Sequence, residues 1–362
     1  MTLSAANPLW MKASHSARCQ LAVVDGILCR RVSPQRLLCG RMGTSRCKLQ
    51  RAGTPANRCR LRRVCSGRVV SSAKSLMNKN DEHQSNLWFT ENHTEHFGIT
   101  LHIKAQLARR CNQYQTVEIY DTYEMGRMLV IDGMVMLTER DECAYHEMLV
   151  HIPMFLHPAP RRALIIGGGD GGSLREIVKH PSLQRVALVE IDRDVVELSR
   201  EFLPTLAAAY EHPKVELVIG DAVDYLQKTD EKFDIIIQDG SDPVGPAAGL
   251  FKADFFSNIF SILTNGGLAS GQLGAPFLSG LRLKTAMATL KRLFADAALY
   301  VTHTPTYLPG LWGFFLASKD RQISTEIKEV RYRTLASDLR YYNLEIARGA
   351  FLLPQYIREL AS

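Results

Sequence analysis

The chain has 362 residues, of which 46% are hydrophobic and 22% charged, and its formal net charge is +7 at pH 7. It contains no run near the ~20 apolar residues that a membrane-spanning helix requires, so we expect no membrane partner. The positive charge comes from residues 1–80, which hold 16 Lys and Arg against one acid, Asp25, whereas the other 282 residues hold 28 against 36. The basic balance therefore does not indicate a nucleic-acid partner for the rest of the chain.

Residues 1–79 form a basic arm that we predict to be disordered. The arm holds six of the eight cysteines, but their spacing contains no C-x-x-C pair, so we expect no zinc site. The beginning of the chain lacks the continuous apolar segment of a secretory signal peptide, and a disulfide framework therefore has no support.

Three interpretations of the arm stay open. Its Arg-rich and acid-poor composition is typical of an organellar transit peptide. The same charge could bind nucleic acid electrostatically. Repeated Cys-Arg and Arg-Arg dipeptides without helical periodicity favour translation upstream of a native start at Met77. We expect the folded part in the cytoplasm, or in an organelle if the arm is a transit peptide.

Beyond the arm, alternating β-formers and turn residues predict a small antiparallel β-domain over residues 80–145. An Asp132-Gly133 turn closes its last predicted strand. The predicted strands are residues 97–103, 116–120 and 128–131, and a helix is predicted over 142–155.

From residue 146 to residue 362, apolar strands alternate with helices. This pattern predicts an α/β domain with a mostly parallel sheet that is covered on both faces. The predicted strands are residues 163–166, 186–189, 215–219, 233–238, 267–272 and 313–317.

The loop at residues 167–172 carries the most informative residue, Asp170. Five glycines surround it between a strand and a helix predicted from Ser173, as in the first turn of nucleotide-binding α/β folds. In dinucleotide-binding folds that helix end receives a pyrophosphate, which the Asp170 carboxylate would repel. The loop therefore indicates a nucleoside that lacks phosphates and carries a cation, such as a sulfonium nucleoside with an amine. A glycine-rich loop by itself could also be only a tight turn.

Acids follow three further strands, at the edge where open α/β sheets bind ligands. Glu190 lies about 20 residues past the glycines, the position of an acid that takes the ribose hydroxyls. Asp221 is placed to accept a hydrogen bond from the adenine amino group, and Asp239 and Asp242 follow the strand at 233–238. Four strands that deliver acids in register are hard to explain as solvated surface charge.

These residues resemble the polyamine aminopropyltransferases, most closely the spermidine synthases, over about three-quarters of the chain. The motifs that carry the resemblance run from Trp88 to the C-terminus and are residues 114–115, 137–142, 145–148, 167–172, 189–192, 239–246, 271–272, 305–307 and 341–343. The resemblance implies a small β-domain, a seven-stranded methyltransferase-like Rossmann domain, and a homodimer or homotetramer. It implies decarboxylated S-adenosylmethionine as co-substrate and putrescine as acceptor, with no cofactor and no metal.

The resemblance also implies a donor half and an acceptor half of the site. The donor would bind Gln115, Gly168, Asp170, Glu190 and Asp221, the acceptor would bind Trp88, Tyr145, His146, Asp239, Asp242 and Tyr307, and the catalytic residues would be Asp239, Tyr145 and Gln272. Asp239 would receive the proton of the acceptor amine, since an alkyl amine with a pKa of roughly 10.4 must lose its charge before it attacks. Tyr145 and the amide oxygen of Gln272 would orient that amine, and Trp88 would wall the far end of the acceptor slot.

Each assignment has an ordinary structural alternative. The alternatives are packing aromatics for Tyr145, Tyr307 and Trp88, a surface amide for Gln115, a structural histidine for His146, and a cap of a helix starting at Pro243 for Asp242.

Two departures from the family pattern lie on the acceptor side. Gly240 stands where many members have a serine, and residues 273–277 lack the Glu-Ser that some members show. The acceptor could therefore be spermidine, cadaverine or agmatine. A methyltransferase that uses ordinary S-adenosylmethionine shares the fold, but Asp170 would repel the carboxylate of that donor. A catalytically silent regulatory subunit that binds a nucleoside is the alternative outside the enzymes. The loss of Asp170, Asp239 or Tyr145 would have favoured it.

Overall fold

The structure is a computed structural model that describes residues 86–242 and 245–362. The predictions made for the arm at residues 1–79 concern residues outside this described part. The strands of the first sheet are β1 Leu87–Thr94, β2 Phe97–Cys111, β3 Thr116–Thr122, β4 Arg127–Ile131 and β5 Met134–Thr138. They pair in chain order and every pair is antiparallel, so the predicted β-domain is confirmed.

The turn between β4 and β5 follows from its two residues. Asp132 and Gly133 have φ angles of 49° and 81°, a conformation that glycine adopts freely and aspartate tolerates. The turn pairs Ile131 with Met134 and thereby sets the register of the last hairpin.

The second sheet has seven strands. These are β6 Arg162–Gly167, β7 Arg185–Glu190, β8 Val215–Ile219, β9 Phe233–Asp239, β10 Leu263–Gly274, β11 Asp296–His303 and β12 Leu311–Ser318. Their order is β11-β12-β10-β9-β6-β7-β8, and β12 is antiparallel to both neighbours while the other pairs are parallel. The predicted mostly parallel, seven-stranded sheet is therefore confirmed.

Helices cover both faces of this sheet. They are α1 Glu142–Leu156, α2 Gly172–Val178, α3 Arg193–Phe202, α4 Pro204–Ala207, α5 Ala222–Lys228, α6 Ala253–Ile262, α7 Pro276–Leu293, α8 Glu329–Arg333, α9 Leu344–Gly349 and α10 Gln355–Ala361. Successive side chains of a strand point to opposite faces. Ile165 and Ile237 accordingly pack with α1 and α2, whereas Leu164 and Ile236 pack with α6 and α7.

The first sheet packs on the second domain through its inner face. Val117 and Leu129 belong to one buried cluster with Val195 and Leu198 of α3. By their contacts the described residues fall in one unit, so the domain boundary placed between residues 145 and 146 stays a prediction. Within the described ranges no helix is both long enough and apolar enough to cross a bilayer.

Helix α1 connects the two sheets, and every residue of it except the last is buried. Its Glu147 carboxylate accepts hydrogen bonds from the backbone N–H groups of Arg340, Tyr341 and Tyr342 at 2.7–2.9 Å. These bonds satisfy a buried charge and fasten the C-terminal segment to the helix.

The order of the second sheet determines where a ligand can bind. The chain proceeds from β6 outward through β7 and β8, and then returns to the other side of β6 at β9. Open α/β sheets bind ligands at such a switch point, outside the carboxyl ends of the strands. The glycine loop at residues 167–172 directly follows β6 and therefore lies at this point.

Candidate active site

A cavity opens at the switch point, and β1 and β5 of the first sheet line its opposite side. It brings together every site residue predicted from the sequence except Trp88. The predicted residues that line it are Gln115, Tyr145, His146, Gly168, Asp170, Glu190, Asp221, Asp239, Asp242, Gln272 and Tyr307.

The glycine loop passes so close to the end of β9 that a side chain would not fit. Gly167 and Gly168 have φ angles of +77° and +71°, and the Gly168 N–H donates to the Asp239 carbonyl at 2.9 Å. A Cβ atom on Gly168 would lie 2.8 Å from Asp239 Oδ2. Glycine is therefore required here both for its backbone conformation and for the approach of the loop to Asp239.

Asp170 is held in place by two donors on one oxygen. Its Oδ1 accepts from the Gly172 N–H at 2.7 Å and lies 3.3 Å from His146 Nε2. Burial by itself would raise the pKa of Asp170, but the His146 charge and these hydrogen bonds outweigh it and lower the pKa. Asp170 is therefore ionised, and Oδ2 is the oxygen that remains available to a ligand.

His146 lies between two carboxylates. Its Nδ1 is 2.8 Å from Glu142 Oε2, and Arg175 binds the same Glu142 oxygen at 2.8 Å. Burial would lower the pKa of His146, but Asp170 and Glu142 together raise it well above its usual value. His146 is therefore an imidazolium, which cannot act as a general base. The structure places it against Asp170, so its predicted contact with the acceptor stays a prediction.

Asp239 ends β9 and faces the same cavity. Tyr145 donates its hydroxyl to Asp239 Oδ1 at 2.9 Å, and Asp239 Oδ2 is buried without a hydrogen-bond partner among the described residues. Burial and the nearby Asp170 carboxylate raise the pKa of Asp239, against the opposing influence of His146 and of the Ser173 and Tyr145 hydroxyls. A buried carboxylate with a free oxygen and a raised pKa is suited to accept a proton.

Gln272, near the end of β10, presents a second unsatisfied acceptor. Its Nε2 donates to the carbonyl oxygens of Gly240 and Ser241 at 3.0 and 3.2 Å, which determines the orientation of the amide. Its Oε1 is buried without a hydrogen-bond partner in the described part of the chain. Since buried acceptors are normally paired, this oxygen is available to a ligand N–H.

Two of the residues predicted for the donor, Glu190 and Asp221, lie at the ends of β7 and β8. Glu190 accepts from the Gly169 and Asp192 N–H groups at 3.1 and 2.9 Å, and burial raises its pKa to about 7. Asp221 caps α5 by accepting from the Val223 N–H at 2.7 Å. Gln115 reaches in from the first domain and donates to Asp192 Oδ2 at 2.9 Å.

Two of the residues predicted for the acceptor, Asp242 and Tyr307, lie after β9 and between β11 and β12. Asp242 is 3.4 Å from Arg282, and the Tyr307 hydroxyl bonds to the Met136 carbonyl across the two domains. The alternative in which Asp242 caps a helix at Pro243 involves a residue outside the described ranges.

Gly240, the departure noted in the sequence, lies against Leu250. A Cβ atom at this position would lie 2.5 Å from Leu250 Cδ1, and Leu250 lines the cavity. A serine at this position would therefore require the terminal methyl group of Leu250 to shift.

The structure places Trp88 outside this cavity. The residue is 57% exposed, and its ring stacks on His102 with a centroid distance of 4.6 Å. The apolar wall predicted for Trp88 is therefore not formed within the described residues of this chain. Two residues of the same strand, Glu91 and His93, line the cavity instead.

Sequence reasoning did not find Glu91. It is 6% exposed, and its Oε2 accepts from the Val135 N–H of β5 at 2.8 Å. It lies in a strand whose other residues are mostly exposed, so only the approach of β1 to β5 shows that this acid is buried.

Two family models match this chain. One, described as the spermine/spermidine synthase domain, matches residues 142–328, and the other, described as the spermidine synthase tetramerisation domain, matches residues 87–139. Together they cover the second domain up to residue 328 and the whole of the first sheet.

Curated relatives and solved structures agree with these matches. A polyamine aminopropyltransferase of Thermoanaerobacter sp. (strain X514) is 40% identical over 275 residues, which are 76% of this chain and 98% of that protein. Polyamine aminopropyltransferase 1 of Bacillus anthracis is 39% identical over 274 residues, with the same coverage of 76% and 98%.

Two spermidine synthase structures share the fold. One, in complex with the transition-state analogue AdoDATO, has a TM-score of 0.75 at 32% identity and covers 79% of this chain and 98% of its own. The other, from Thermotoga maritima, has a TM-score of 0.73 at 31% identity and covers 79% and 97%. The chain therefore belongs to the spermine/spermidine synthase family of aminopropyltransferases.

Proposed function

We propose that this protein transfers the aminopropyl group of decarboxylated S-adenosylmethionine to putrescine, which yields spermidine and 5′-methylthioadenosine. The observation that carries the proposal is the pair of buried, unpartnered acceptors, Asp239 Oδ2 and Gln272 Oε1, in one cavity. Such a pair matches the N–H groups of an acceptor amine, which would satisfy both oxygens.

The donor half suits a cationic nucleoside without phosphates. Glu190 and Asp221 offer carboxylates to the ribose and adenine, and Asp170 offers Oδ2 to the ammonium end of the aminopropyl arm. Ordinary S-adenosylmethionine carries an additional carboxylate on that arm, which the ionised Asp170 repels. The site therefore favours the decarboxylated donor.

The transfer is a nucleophilic substitution, and the protein takes part in it chemically by accepting one proton. The amine nitrogen attacks the carbon beside the sulfonium, the carbon–sulfur bond breaks, and its electrons remain on sulfur as a neutral thioether. The amine proton passes to Asp239, whose raised pKa makes it a better acceptor than an exposed aspartate. Tyr145, through its bond to Oδ1, leaves Oδ2 facing the amine.

The other end of the diamine remains an ammonium and needs an anion. Glu91 and Asp242 line the cavity on the acceptor side, where β1 meets the loop after β9. We assign the distal ammonium to these two carboxylates, in place of the Trp88 wall.

Purified full-length chain with a panel of donors and acceptors tests this function. We expect product from decarboxylated S-adenosylmethionine with putrescine, at a higher kcat/KM than with spermidine, cadaverine or agmatine. A higher kcat/KM with one of those other acceptors would still support aminopropyl transfer, but it would replace putrescine as the preferred acceptor. No transfer to any of them would favour the silent regulatory subunit.

We also propose that copies of the chain assemble through the region matched to the tetramerisation domain.

A divalent metal ion is an alternative ligand for the space between His146, Asp170 and Asp239. Ligand atoms of His146, Asp170 and Asp239 lie within 4.8 Å of one another. We assign the space to substrate amines, with the donor ammonium at Asp170 and the acceptor amine at Asp239, because a metal would have to displace the proton of the His146 imidazolium. We expect dialysis against EDTA to leave kcat unchanged. A loss of activity that Mg²⁺ or Mn²⁺ restores would contradict this assignment.

Gly172→Ala tests the position of His146. A Cβ atom at residue 172 would overlap the imidazole, since it would lie 2.6 Å from Nε2. The ring must move and lose its contact with Asp170, and overpacking of this kind costs about 1–3 kcal/mol. We expect the dissociation constant of the decarboxylated donor to rise about tenfold or more, as measured by calorimetry, with a lower melting temperature.

The matched control is Gly349→Ala, since no atom lies within 4 Å of the added Cβ. It should leave donor affinity unchanged and should not lower the melting temperature, since alanine is favoured over glycine within a helix such as α9. A Gly172→Ala protein that binds the donor normally would show that the His146 contact is dispensable.

A further inference from the structure

We propose that His93 controls acceptor binding by competing, as a cation, with the distal ammonium of the diamine for the Glu91 carboxylate. The inference rests on the function proposed above, because it concerns the acceptor half of the same cavity. It makes His93 a residue that determines how acceptor affinity depends on pH.

His93 lies where that competition can occur. It lines the cavity with Glu91, and its Nδ1 is 3.5 Å from Glu91 Oε1. The side chain of His93 is 17% exposed and that of Glu91 is 8% exposed. Because Glu91 Oε2 is engaged by the Val135 N–H, Oε1 is the oxygen for which the two cations compete.

The charges on this side of the cavity are balanced only when His93 is protonated. The groups that face His93 are Glu91 on its own strand, Asp242 after β9, and Arg282 on α7. Arg282 already pairs with Asp242 at 3.4 Å. With His93 charged, two cations oppose two carboxylates, so a further ammonium is not favoured. With His93 neutral, one carboxylate is unbalanced and matches one ammonium.

The direction of the pH dependence follows from the environment of His93. The hydrogen bond to Glu91 raises the pKa of His93, burial opposes it, and Asp242 raises it further. The charged form therefore persists above the usual pKa of about 6.5. As pH rises through the raised pKa, His93 loses its charge and the diamine should bind more tightly. By linkage, a bound diamine lowers the His93 pKa by the same coupling free energy.

His93→Gln isolates this effect from the titration of the amine itself. We would measure KM for putrescine at saturating donor from about pH 6 to about pH 9, a range that brackets the usual histidine pKa. A coupling of about one pKa unit corresponds to a tenfold change. We expect the variant to have a KM about tenfold lower than the unmodified chain at the acid end, and the two values to converge at the alkaline end.

Three controls separate this role from a structural one. KM for the donor should be unchanged in His93→Gln. n-Butylamine, which lacks the distal ammonium, should show a variant-to-native KM ratio near one at every pH. His96→Gln replaces the exposed histidine of the same hairpin, which contacts only Glu95 and Thr94 in the described structure, and should match the unmodified chain.

Two results would overturn the inference without touching the proposed function. One is aminopropyl transfer in which the ratio of the His93→Gln KM to the native KM for putrescine does not vary with pH. The other is a variant-to-native KM ratio for n-butylamine that equals the ratio for putrescine at each pH. Failure of the unmodified chain to transfer to any amine would overturn the proposed function, and this inference with it.

Discussion

Replacing Asp239 by Asn should lower kcat by about 10²–10⁴-fold, the effect typical of losing a general base. The amide keeps the shape of the side chain and can still accept from Tyr145, but it cannot receive the proton of the amine. Single-turnover measurement of spermidine formation would give the rate of the chemical step. Donor affinity should change little, because the proposed function assigns Asp170, and not Asp239, to the donor.

The pH profile adds a second readout for Asp239. Because burial and Asp170 raise its pKa, the base form is lost as pH falls through a value above the usual range for aspartate. The acid limb of the native profile should reflect this titration and should be missing in the Asn variant. Asp224→Asn is the control, since Asp224 is an exposed helix residue paired with Lys228 at 2.9 Å. An Asp239→Asn protein with near-native turnover would overturn the assigned role.

Asp170→Asn should weaken binding of the decarboxylated donor by about 1.5–3 kcal/mol, the contribution of a hydrogen bond to a charged group. This corresponds to roughly ten- to hundredfold in dissociation constant. Discrimination against ordinary S-adenosylmethionine should shrink at the same time, since the carboxylate of that donor would no longer meet a like charge. Titration calorimetry with both nucleosides measures the two effects together.

The Asp170 variant should keep its fold, because the Asn oxygen can still accept from the Gly172 N–H. Asp224→Asn again serves as the control and should bind both nucleosides as the native chain does. If the ratio of the two dissociation constants were the same in Asp170→Asn and the native protein, Asp170 would not be the residue that selects the donor.

Much of the donor half could be predicted without a structure. Glycines after a buried strand, and acids after the next strands, meet at one sheet edge because parallel strands have their carboxyl ends on the same side. Gly168, Asp170, Glu190 and Asp221 accordingly line one cavity. These positions depend on local pattern and on strand order, both of which are visible along the chain.

The identity of the residues proposed to bind the acceptor depends on contacts between distant strands, which no local sequence pattern shows. Trp88 and Glu91 lie in the same strand, and the choice between them depends on how β1 approaches β5. The decisive bond joins Glu91 to Val135, 44 residues away. Trp88 instead packs on His102 at the surface.

The charge states within the site also required the structure. The spacing of Glu142 and His146 on one helix is visible in the sequence, but the imidazolium depends on Asp170 from a different element. The free oxygen of Gln272 likewise depends on two carbonyls of the neighbouring loop.

The sequence by itself determined the two-sheet architecture and the family, and it predicted the chemical type of the donor, because periodicity, glycine positions and strand-end acids act over a few residues. Only the tertiary structure decided which groups are charged, which acceptors lack partners, and that Glu91 and His93 line the cavity while Trp88 does not. The physical reason is that burial and Coulomb interactions depend on distances between elements, and those distances are not encoded in the spacing of residues along the chain.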